Sequence, residues 1–264
     1  MAPRDPELTI ILPFYRKLRE FKRVLPLNAD FFSDPRCEVV VVMDDPQCER
    51  QVVELARRHP AVRFRVVVND RRHDWRPPCR AYNVGIRHAL GRYVLLGDPE
   101  SVLLTDAVSL MLQALRDDER AMVLGRVAFA RFADAPTLAP AELQDAFLRA
   151  ESRMSTPLFY CSLGVSRERL EAIRGYNESL LKWGADDDNL RLRLMIAGAR
   201  MAPVPEIRLL HLGFERRLAG HASRRVPTYT REEKRRIHSP RSAVTNRPSW
   251  GREFSRTAWD WRMG

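Results

Sequence analysis

Short apolar runs and longer amphipathic stretches alternate along the first hundred residues. The apolar runs, which are rich in β-branched side chains, lie at residues 8–12, 38–43, 62–68 and 92–96. Between them, apolar positions at helical spacing indicate helices that begin near residue 18 and that span about 48–58 and 78–90. Strands that alternate with helices in this way predict a doubly wound α/β fold, with a mostly parallel central sheet flanked by helices.

The alternation continues to about residue 214, and the last fifty residues depart from it. In this second half the pattern predicts helices at 105–116 and 140–153, a strand at 121–130, and another strand before Arg208. We therefore divide the chain into a globular domain, residues 1–214, and a C-terminal extension, residues 215–264.

The composition bounds the class of protein. With 264 residues, 45% of them hydrophobic, the chain is long and apolar enough to fill a core. No apolar run approaches the ~20 residues that span a bilayer, and the N-terminus has no signal-peptide core, so we expect a cytoplasmic protein. The cysteines lie far apart without metal-type spacing, which predicts reduced thiols at Cys37, Cys48, Cys79 and Cys161.

Positive charge is concentrated in the extension. The chain carries a formal net charge of +11, and residues 215–264 hold 13 Lys or Arg against 5 Asp or Glu. The aromatic residues interleaved with these cations are Tyr229, Trp250, Phe254, Trp259 and Trp261. This pattern suits nucleic acid, an anionic polymer or a membrane surface, and a basic arm packed on the core would explain it equally well.

Acidic residues follow the predicted strands at the edge where a parallel sheet forms a ligand crevice. Asp44 and Asp45 end the second strand, and Asp98 and Glu100 end the fourth. No Gly-x-Gly-x-x-Gly follows the first strand and no Gly-Lys-Ser or Gly-Lys-Thr occurs, which argues against a dinucleotide Rossmann site and a P-loop. Ordinary turn chemistry at strand ends is the alternative interpretation of these acids.

Three consecutive carboxylates, Asp186, Asp187 and Asp188, stand directly before a predicted helix at 190–196. Negative charge is favoured at a helix N-terminus, but three carboxylates exceed what a cap needs. Their mutual repulsion raises at least one pKa toward the range of a general base. Trp183 offers a flat face to a sugar ring or a base, and the alternative is an over-charged helix cap with Trp183 in the core.

The stretch from Trp183 to Leu190 resembles the Trp-Gly-x-Glu-Asp-Asp-Asp-Leu segment of GT-A-fold glycosyltransferases, especially family 2 with its galactosyltransferase-like C-terminal region. Other segments that match in order are a Pro-x-Tyr turn at Pro13, the helix of residues 78–91, the strand of residues 92–100 and the Gly-Tyr-Asn-Glu of residues 175–178. The resemblance implies the GT-A fold, with a nucleotide-sugar half at about 8–100 and an acceptor half at about 101–214. It also implies transfer of a sugar from a nucleotide-sugar donor to an acceptor hydroxyl.

The same resemblance implies a set of donor contacts at the strand ends. These residues are Pro13, Tyr15, Asp44, Asp45, Arg80, Asn83 and Asp98. Pro13 and Tyr15 would line the base, and one of the two acids after the second strand would contact uracil or ribose. Arg80 and Asn83 would face the nucleotide, with a local cap as the alternative for Asn83.

In this family the fourth strand ends in an Asp-x-Asp that holds a divalent cation against the donor diphosphate. Here Asp98 and Glu100 keep two oxygen ligands two residues apart, which suits Mn²⁺ or Mg²⁺. His211 matches the third ligand of many relatives, and a structural histidine is the alternative. The rigid Pro99 and the longer side chain of Glu100 leave a metal-independent variant open.

The mechanism implied by the resemblance is an inverting, metal-dependent transfer from a UDP-sugar. Asp187 aligns with the Asp of the family's Glu-Asp pair and would take the proton of the acceptor hydroxyl, with Asp186 in the place of the Glu. Trp183 and Gly184 would contact the acceptor together with Asp186 and Asp188.

The sequence leaves the acceptor open between a saccharide, a glycolipid and a hydroxylated base in nucleic acid bound by the basic arm. The protein is expected in the cytoplasm or at the periphery of a membrane. A hypothesis from another class is a catalytically inactive GT-A scaffold that binds nucleic acid or an anionic polymer, because Asp98-Pro99-Glu100 departs from the family pattern.

Overall fold

The computed structural model describes residues 5–73, 76–154, 162–213, 227–254 and 256–263. Its strands are β1 Leu8–Phe14, β2 Cys37–Met43, β3 Phe64–Val68, β4 Tyr93–Leu96, β5 Ser101–Leu103, β6 Ala121–Phe129, β7 Leu163–Ser166, β8 Arg200–His211 and β9 Arg256–Asp260. Its α-helices are α1 Leu18–Phe32, α2 Glu49–Arg58, α3 Cys79–His88, α4 Ala107–Asp117, α5 Pro140–Glu151, α6 Arg167–Ala172, α7 Asp186–Ile196 and α8 Arg231–Ile237. The prediction for Cys161 and the first part of the predicted extension, up to residue 226, lie outside the described residues.

The strands form one sheet in the order β5-β8-β6-β7-β4-β1-β2-β3-β9. The four strands β4, β1, β2 and β3 are parallel neighbours, as the alternation of apolar runs with helices predicts. Strands β6 and β8 run in the same direction as these four, whereas β5, β7 and β9 run against it. Most of the described strands therefore end at one edge of the sheet, which is the edge that carries the acidic residues.

Helices cover both faces of the sheet, because the central strands are apolar on both sides. Every residue of β1, β2 and β3 is buried. Side chains along β1 alternate between two clusters: Ile10 and Leu12 pack with α1, α2 and α4, and Ile11 packs with α3, α6 and α7. A third cluster joins α5 to β6 and β8. Among the described helices, none combines the length and the apolar character that crossing a membrane requires.

The described part of the predicted extension, residues 227–254 and 256–263, is called the arm below. It packs against the rest of the chain. Strand β9 pairs antiparallel with β3 and extends the sheet. Trp250 is only 3% exposed, and the Arg87 guanidinium of α3 lies 4.2 Å from the centre of its ring. Trp259 and Trp261 are each covered by an arginine of the domain, with guanidinium-to-ring distances of 5.0 Å. The aromatic residues of the arm thus contribute to the core and to the sheet edge.

Replacement of Trp250 by alanine tests this packing. Loss of a buried tryptophan leaves a cavity, so Trp250→Ala is expected to lower the free energy of unfolding by about 3–5 kcal/mol in urea denaturation followed by circular dichroism. Trp183→Ala is the matched control, because Trp183 is 40% exposed, and its loss is expected to stay below about 1 kcal/mol. Equal losses for the two variants would contradict the packed arm.

Candidate active site

The candidate site lies at the edge of the sheet where the parallel strands end. Tyr15 follows β1, Asp44 follows β2, Asp98 is the second residue after β4, and His211 ends β8. Parallel strands bring their C-terminal ends together, so these four residues lie along one edge of the sheet. The three consecutive carboxylates stand at the N-terminus of α7.

Two consecutive residues in the left-handed backbone region lead into α7. Gly184 has a φ of +84° and Ala185 has a φ of +70°. A left-handed conformation is open to glycine but strained for alanine, at about 1 kcal/mol. The first turn of the helix closes with the hydrogen bond from Asn189 N to Ala185 O, at 3.0 Å. Strain of this kind persists where the surrounding structure fixes the chain, and here it orients the carboxylates.

Asp187 has the electrostatic properties of a general base. The hydroxyl of Tyr176 donates a hydrogen bond to Asp187 Oδ1 at 3.0 Å. Burial raises the pKa of Asp187 to about 7, assisted by the charges of Asp186 and Asp98, whereas the Tyr176 hydrogen bond and Arg191 lower it. The charge of Asp98 acts on Asp187, so the two acidic clusters lie near each other. A carboxyl with this pKa can accept a proton at neutral pH.

The residues beside Asp187 have different surroundings. Asp188 Oδ1 accepts a hydrogen bond from Arg191, and Asp188 Oδ2 lies 3.4 Å from His238 Nε2. The ring of Trp183 is 40% exposed, so this tryptophan is not a core residue. Its backbone N–H donates to Pro227 O at 2.9 Å, which ties the loop before α7 to the arm.

The residues predicted to hold a metal are close to one another. His211 is 1% exposed, its Nε2 lies 3.4 Å from Glu100 Oε1 and 3.9 Å from Asp98 Oδ2, and neither imidazole nitrogen has a hydrogen-bond partner. Lys17 Nζ lies 2.6 Å from Glu100 Oε1. Burial opposes ionisation of Glu100, but the charge of Lys17 and the contact with His211 outweigh it and hold the pKa of Glu100 well below its usual range.

This donor set fits a divalent cation. A buried imidazole whose nitrogen faces two carboxylates without aligned hydrogen bonds has the ligand chemistry that Mn²⁺ accepts. As they stand, the described residues include no group of three or more His, Cys, Asp or Glu that could hold a metal ion. The three side chains would therefore have to close around the ion, and Lys17 would have to share Glu100 with it.

Asp44, which belongs to the predicted nucleotide-sugar half, is surrounded by side chains that can donate hydrogen bonds to it. Arg76 binds it through two nitrogens, Nε at 2.8 Å and Nη2 at 2.6 Å. Asn69 Nδ2 donates to Asp44 Oδ1 at 3.1 Å, and His73 Nε2 lies 3.2 Å from Asp44 Oδ2. The ring of Tyr15 stacks on that of His73 at 5.3 Å. Three of these neighbours are not predicted from the sequence, namely Arg76, Asn69 and His73. Of the three, only Asn69 has a sequence signal, because it directly follows β3 at the edge where the site is predicted.

The arm contributes a carboxylate to the same region. Glu253 accepts hydrogen bonds from Arg76 Nη1 at 2.7 Å and from Arg80 Nη1 at 3.0 Å. Burial alone would raise the pKa of Glu253. The hydrogen bonds and the positive charges of the two arginines outweigh this effect, so the pKa of Glu253 is lowered. Arg80 therefore borders the predicted donor site, held by a residue of the arm.

Three other predicted donor contacts have structural roles here. Pro13 is buried within β1. Asp45 caps a short 3-10 helix by accepting from Gln47 N at 2.8 Å, which is the turn chemistry named as the alternative. Asn83 is fully buried, and its amide binds the backbone of Tyr176 and the carboxylate of Glu178. Asn83 thus fixes a neighbouring loop, and its contact with a nucleotide stays a prediction.

Comparison with protein families gives two matches that together span most of the chain. The model of glycosyl transferase family 2 matches residues 9–152, which is more than half of the chain. The family described as the N-terminal domain of galactosyltransferase matches residues 151–214. A search of curated protein sequences found no match.

Solved structures similar to this one are glycosyltransferases. The mannosyltransferase PcManGT from Pyrobaculum calidifontis, in complex with GDP-Man and Mn²⁺, is 22% identical, with a TM-score of 0.55 over 90% of this chain and 70% of that one. The catalytic domain of Drosophila β1,4-galactosyltransferase 7, in complex with xylobiose, is 16% identical, with a TM-score of 0.52 over 90% and 83%. GalNAc-T7 with UDP, GalNAc and Mn²⁺ is 12% identical, with a TM-score of 0.57 over 80% and 44%. These similarities confirm the predicted GT-A fold.

The raised pKa of Asp187 predicts how stability depends on pH. The folded pKa of about 7 lies above the ordinary 3.8, so between these values the folded protein holds a proton that the unfolded chain releases. The contribution of Asp187 to stability therefore falls as the pH rises through this window. Asp187→Asn removes the ionisation, and its stabilising effect is expected to be about 2 kcal/mol larger at pH 8 than at pH 5.

Urea denaturation at the two pH values, with EDTA present, measures this difference. Asp145→Asn on the exposed side of α5 is the control, with an expected change below about 0.5 kcal/mol at either pH. An effect of Asp187→Asn that is the same at pH 5 and pH 8 would contradict the raised pKa.

Proposed function

The chain belongs to glycosyl transferase family 2, and from that premise we propose that it transfers a hexose, with inversion, from a nucleoside diphosphate sugar to an acceptor hydroxyl. The observation that carries the proposal is the stacked pair of Tyr176 and Tyr82, because one hydroxyl binds Asp187 and the other binds the backbone directly before Asp98. The pair connects a proposed proton acceptor on α7 to the predicted donor-phosphate site after β4. A transfer reaction needs both, because a hydroxyl must lose its proton while a diphosphate leaves.

Asp187 is the base in this proposal. Its carboxylate takes the proton of the acceptor hydroxyl as that oxygen bonds to the anomeric carbon of the donor sugar. The bond from the anomeric carbon to the diphosphate oxygen breaks on the opposite side, so the configuration inverts and the electron pair leaves with the nucleoside diphosphate. Asp186 keeps the pKa of Asp187 high through its charge.

Asp98, Glu100 and His211 would hold Mn²⁺ or Mg²⁺. The Nε2 atom of His211, which lies near both carboxylates and has no hydrogen-bond partner, supports this assignment. Mn²⁺ is present in the complexes of the Pyrobaculum mannosyltransferase and of GalNAc-T7. When bound, such an ion neutralises charge on the departing diphosphate. Lys17 beside Glu100 adds a fixed positive charge at the same place.

The donor nucleoside is proposed to lie over Tyr15, Asp44 and the two arginines that bind Glu253. Arg76 and Arg80 are positive groups held at the crevice by a carboxylate, so they would contact donor oxygens by exchanging that partner. A uridine donor is our first choice, and GDP-mannose is the alternative because it is the ligand of the Pyrobaculum enzyme. The division into a domain of residues 1–214 and an extension of residues 215–264 stays a prediction.

The acceptor is proposed to be a saccharide or a glycolipid sugar. The exposed ring of Trp183 next to Asp186 and Asp188 supports this, because aromatic faces and carboxylates bind sugar rings and hydroxyls. The five aromatic residues of the arm are buried or half-buried, so the structure offers no stacking platform for nucleic acid among them. We therefore do not favour a nucleic-acid acceptor or an inactive nucleic-acid-binding scaffold.

A thermal-shift screen tests the donor and the metal. UDP-glucose, UDP-galactose, UDP-GalNAc and GDP-mannose are each added with Mn²⁺ or with EDTA. One donor class at about 100 times its Kd is expected to raise Tm by about 5 °C with Mn²⁺, through selective binding to the folded state. His211→Ala is expected to abolish the Mn²⁺-dependent part. A full shift in His211→Ala would contradict its role as a ligand, and no shift with any donor would support an inactive scaffold.

Donor turnover tests the base. With the donor found in the screen, release of the nucleoside diphosphate to water is expected to fall about 10³-fold in Asp187→Asn, because the amide cannot take the proton. Asp188→Asn, a neighbour in the same helical turn, is expected to keep kcat within about tenfold, since it does not accept the proton. Near-normal turnover in Asp187→Asn would refute the assignment.

A further inference from the structure

Within the part of the chain that the structure describes, Tyr176 is the one residue whose hydroxyl donates a hydrogen bond to Asp187. It stands in the Gly-Tyr-Asn-Glu segment between α6 and α7, and its side chain is almost fully buried, with 2% exposed. Nothing about a general base requires a tyrosine at this place, and a phenylalanine would fill the same volume. The hydroxyl is therefore the feature that needs an explanation.

The structure fixes Tyr176 at its backbone. Asn83 Oδ1 accepts from Tyr176 N at 2.7 Å, and Asn83 Nδ2 donates to Tyr176 O at 2.9 Å. A second buried asparagine, Asn246 of the arm, also donates to Tyr176 O, at 2.5 Å. Its other contacts are with Arg174 O and with Glu178 N, so it spans the whole segment. Two side chains that are far apart in the sequence, those of Asn83 and Asn246, thus hold the backbone of Tyr176 in place.

The segment is also tied to the helix that carries Asp187. Arg193 of α7 is buried, and its guanidinium donates to Ile173 O at 2.5 Å and to Gly175 O at 2.8 Å. Gly175 has a φ of +65°, and a Cβ there would lie 2.1 Å from Asn83 Oδ1. The tight approach therefore needs glycine, and it sets the position from which the Tyr176 ring extends.

The ring of Tyr176 is held by a second tyrosine. Tyr82 of α3 stacks on it with ring centres 4.7 Å apart and planes inclined by 12°. The Tyr82 hydroxyl donates to Gly97 O at 2.9 Å, directly before Asp98. The stacked pair therefore connects the two acidic clusters: one hydroxyl binds the proposed base, and the other binds the backbone beside the proposed metal ligand.

We propose that Tyr176 is a positioning residue for the transfer reaction: its hydroxyl holds Oδ1 of Asp187, so that Oδ2 faces the acceptor hydroxyl and takes the proton. The inference rests on the proposed function, because it assigns a partner to the proposed base. A carboxylate can rotate, and a single strong donor on one oxygen fixes which lone pair the acceptor meets. The buried network around Tyr176 supplies the rigidity that such a role requires.

The hydrogen bond also opposes the electrostatic environment of Asp187. Burial and the charges of Asp186 and Asp98 favour the protonated carboxyl, whereas Arg191 and the Tyr176 hydroxyl favour the carboxylate. The Cys79 thiol near these carboxylates stays neutral, because burial and their charges raise its pKa well above its usual value. Loss of the Tyr176 hydroxyl should therefore raise the pH at which Asp187 becomes an active base.

The pH dependence of turnover in Tyr176→Phe tests the proposal. With saturating Mn²⁺ and donor between pH 5.5 and 9, the acidic limb of kcat is expected to move upward by about one pH unit, as for the loss of a hydrogen bond to a charged group. At pH 6.5 the shifted pKa lowers kcat by about tenfold beyond a several-fold loss from lost orientation, and at pH 9 only the several-fold loss remains. The KM for the donor is expected to stay within about twofold.

Tyr82→Phe is the matched control. It removes the other hydroxyl of the same stacked pair, so it disturbs the packing to a similar degree without touching Asp187. Its acidic limb is expected to stay where the wild-type limb lies. If the limb of Tyr176→Phe does not move, or moves equally in Tyr82→Phe, the positioning role is wrong.

A second measurement covers the case in which Tyr176→Phe does not fold. Incorporation of 3-fluorotyrosine at position 176 keeps the shape and makes the hydroxyl a stronger donor, so the limb is expected to move to lower pH. An unchanged limb would overturn the inference. Asp187→Asn separates the two hypotheses. If that variant keeps its turnover, the assignment of Asp187 as the base is wrong, and the inference about Tyr176 is wrong with it. If Asp187→Asn is inactive but the acidic limb of Tyr176→Phe does not move, only the role of Tyr176 is refuted.

Discussion

The burial of a carboxylate beside other carboxylates is the constraint on which this structure depends. Burial is the largest cause that opposes ionisation of Asp187, and repulsion by the charges of Asp186 and Asp98 adds to it. A chain folds into such an arrangement only if other interactions offset the repulsion. The structure supplies them with cationic neighbours, Lys17 at Glu100 and Arg191 at Asp188, and with the hydrogen bond from Tyr176. The same repulsion keeps a carboxyl ready to accept a proton near neutral pH.

The scaffold holds these like charges together by fixing the backbone on each side of them. Parallel pairing of β1 with β4 sets the position of Asp98. On the other side, the left-handed Ala185 starts α7 at the first of the three carboxylates, and Arg193 anchors that helix to the loop below it. Local strain and buried charge are therefore concentrated at one place and balanced by an apolar sheet that is buried on both faces.

The parts of this architecture that the sequence predicts are those set by local pattern. β-branched runs predict β1 to β4, because strand periodicity is a property of near neighbours. The three adjacent carboxylates predict a raised pKa at Asp187, but the largest cause in the structure is burial, followed by the charges of Asp186 and of the distant Asp98, so local repulsion explains only part of it. The short strand β5 escapes prediction because three residues carry too little periodicity. The surroundings of Asp44 escape it as well, because Arg76 and Glu253 are joined across 177 positions of the chain. Asn83 shows the same limit: its partners lie 93 and 95 positions away.

Strand β9 has a consequence for how the molecule avoids self-association. It pairs with β3, whose five residues are all buried, and the side chains of Arg65 and Asp260 meet across that seam from positions 195 apart. Before β9 has paired with β3 during folding, the backbone amides and carbonyls along the edge of β3 are unpaired. Another chain could then form a strand against this edge. The basic arm thus acts as a cover for the edge of the sheet, and folding remains exposed to intermolecular pairing until that distant contact forms.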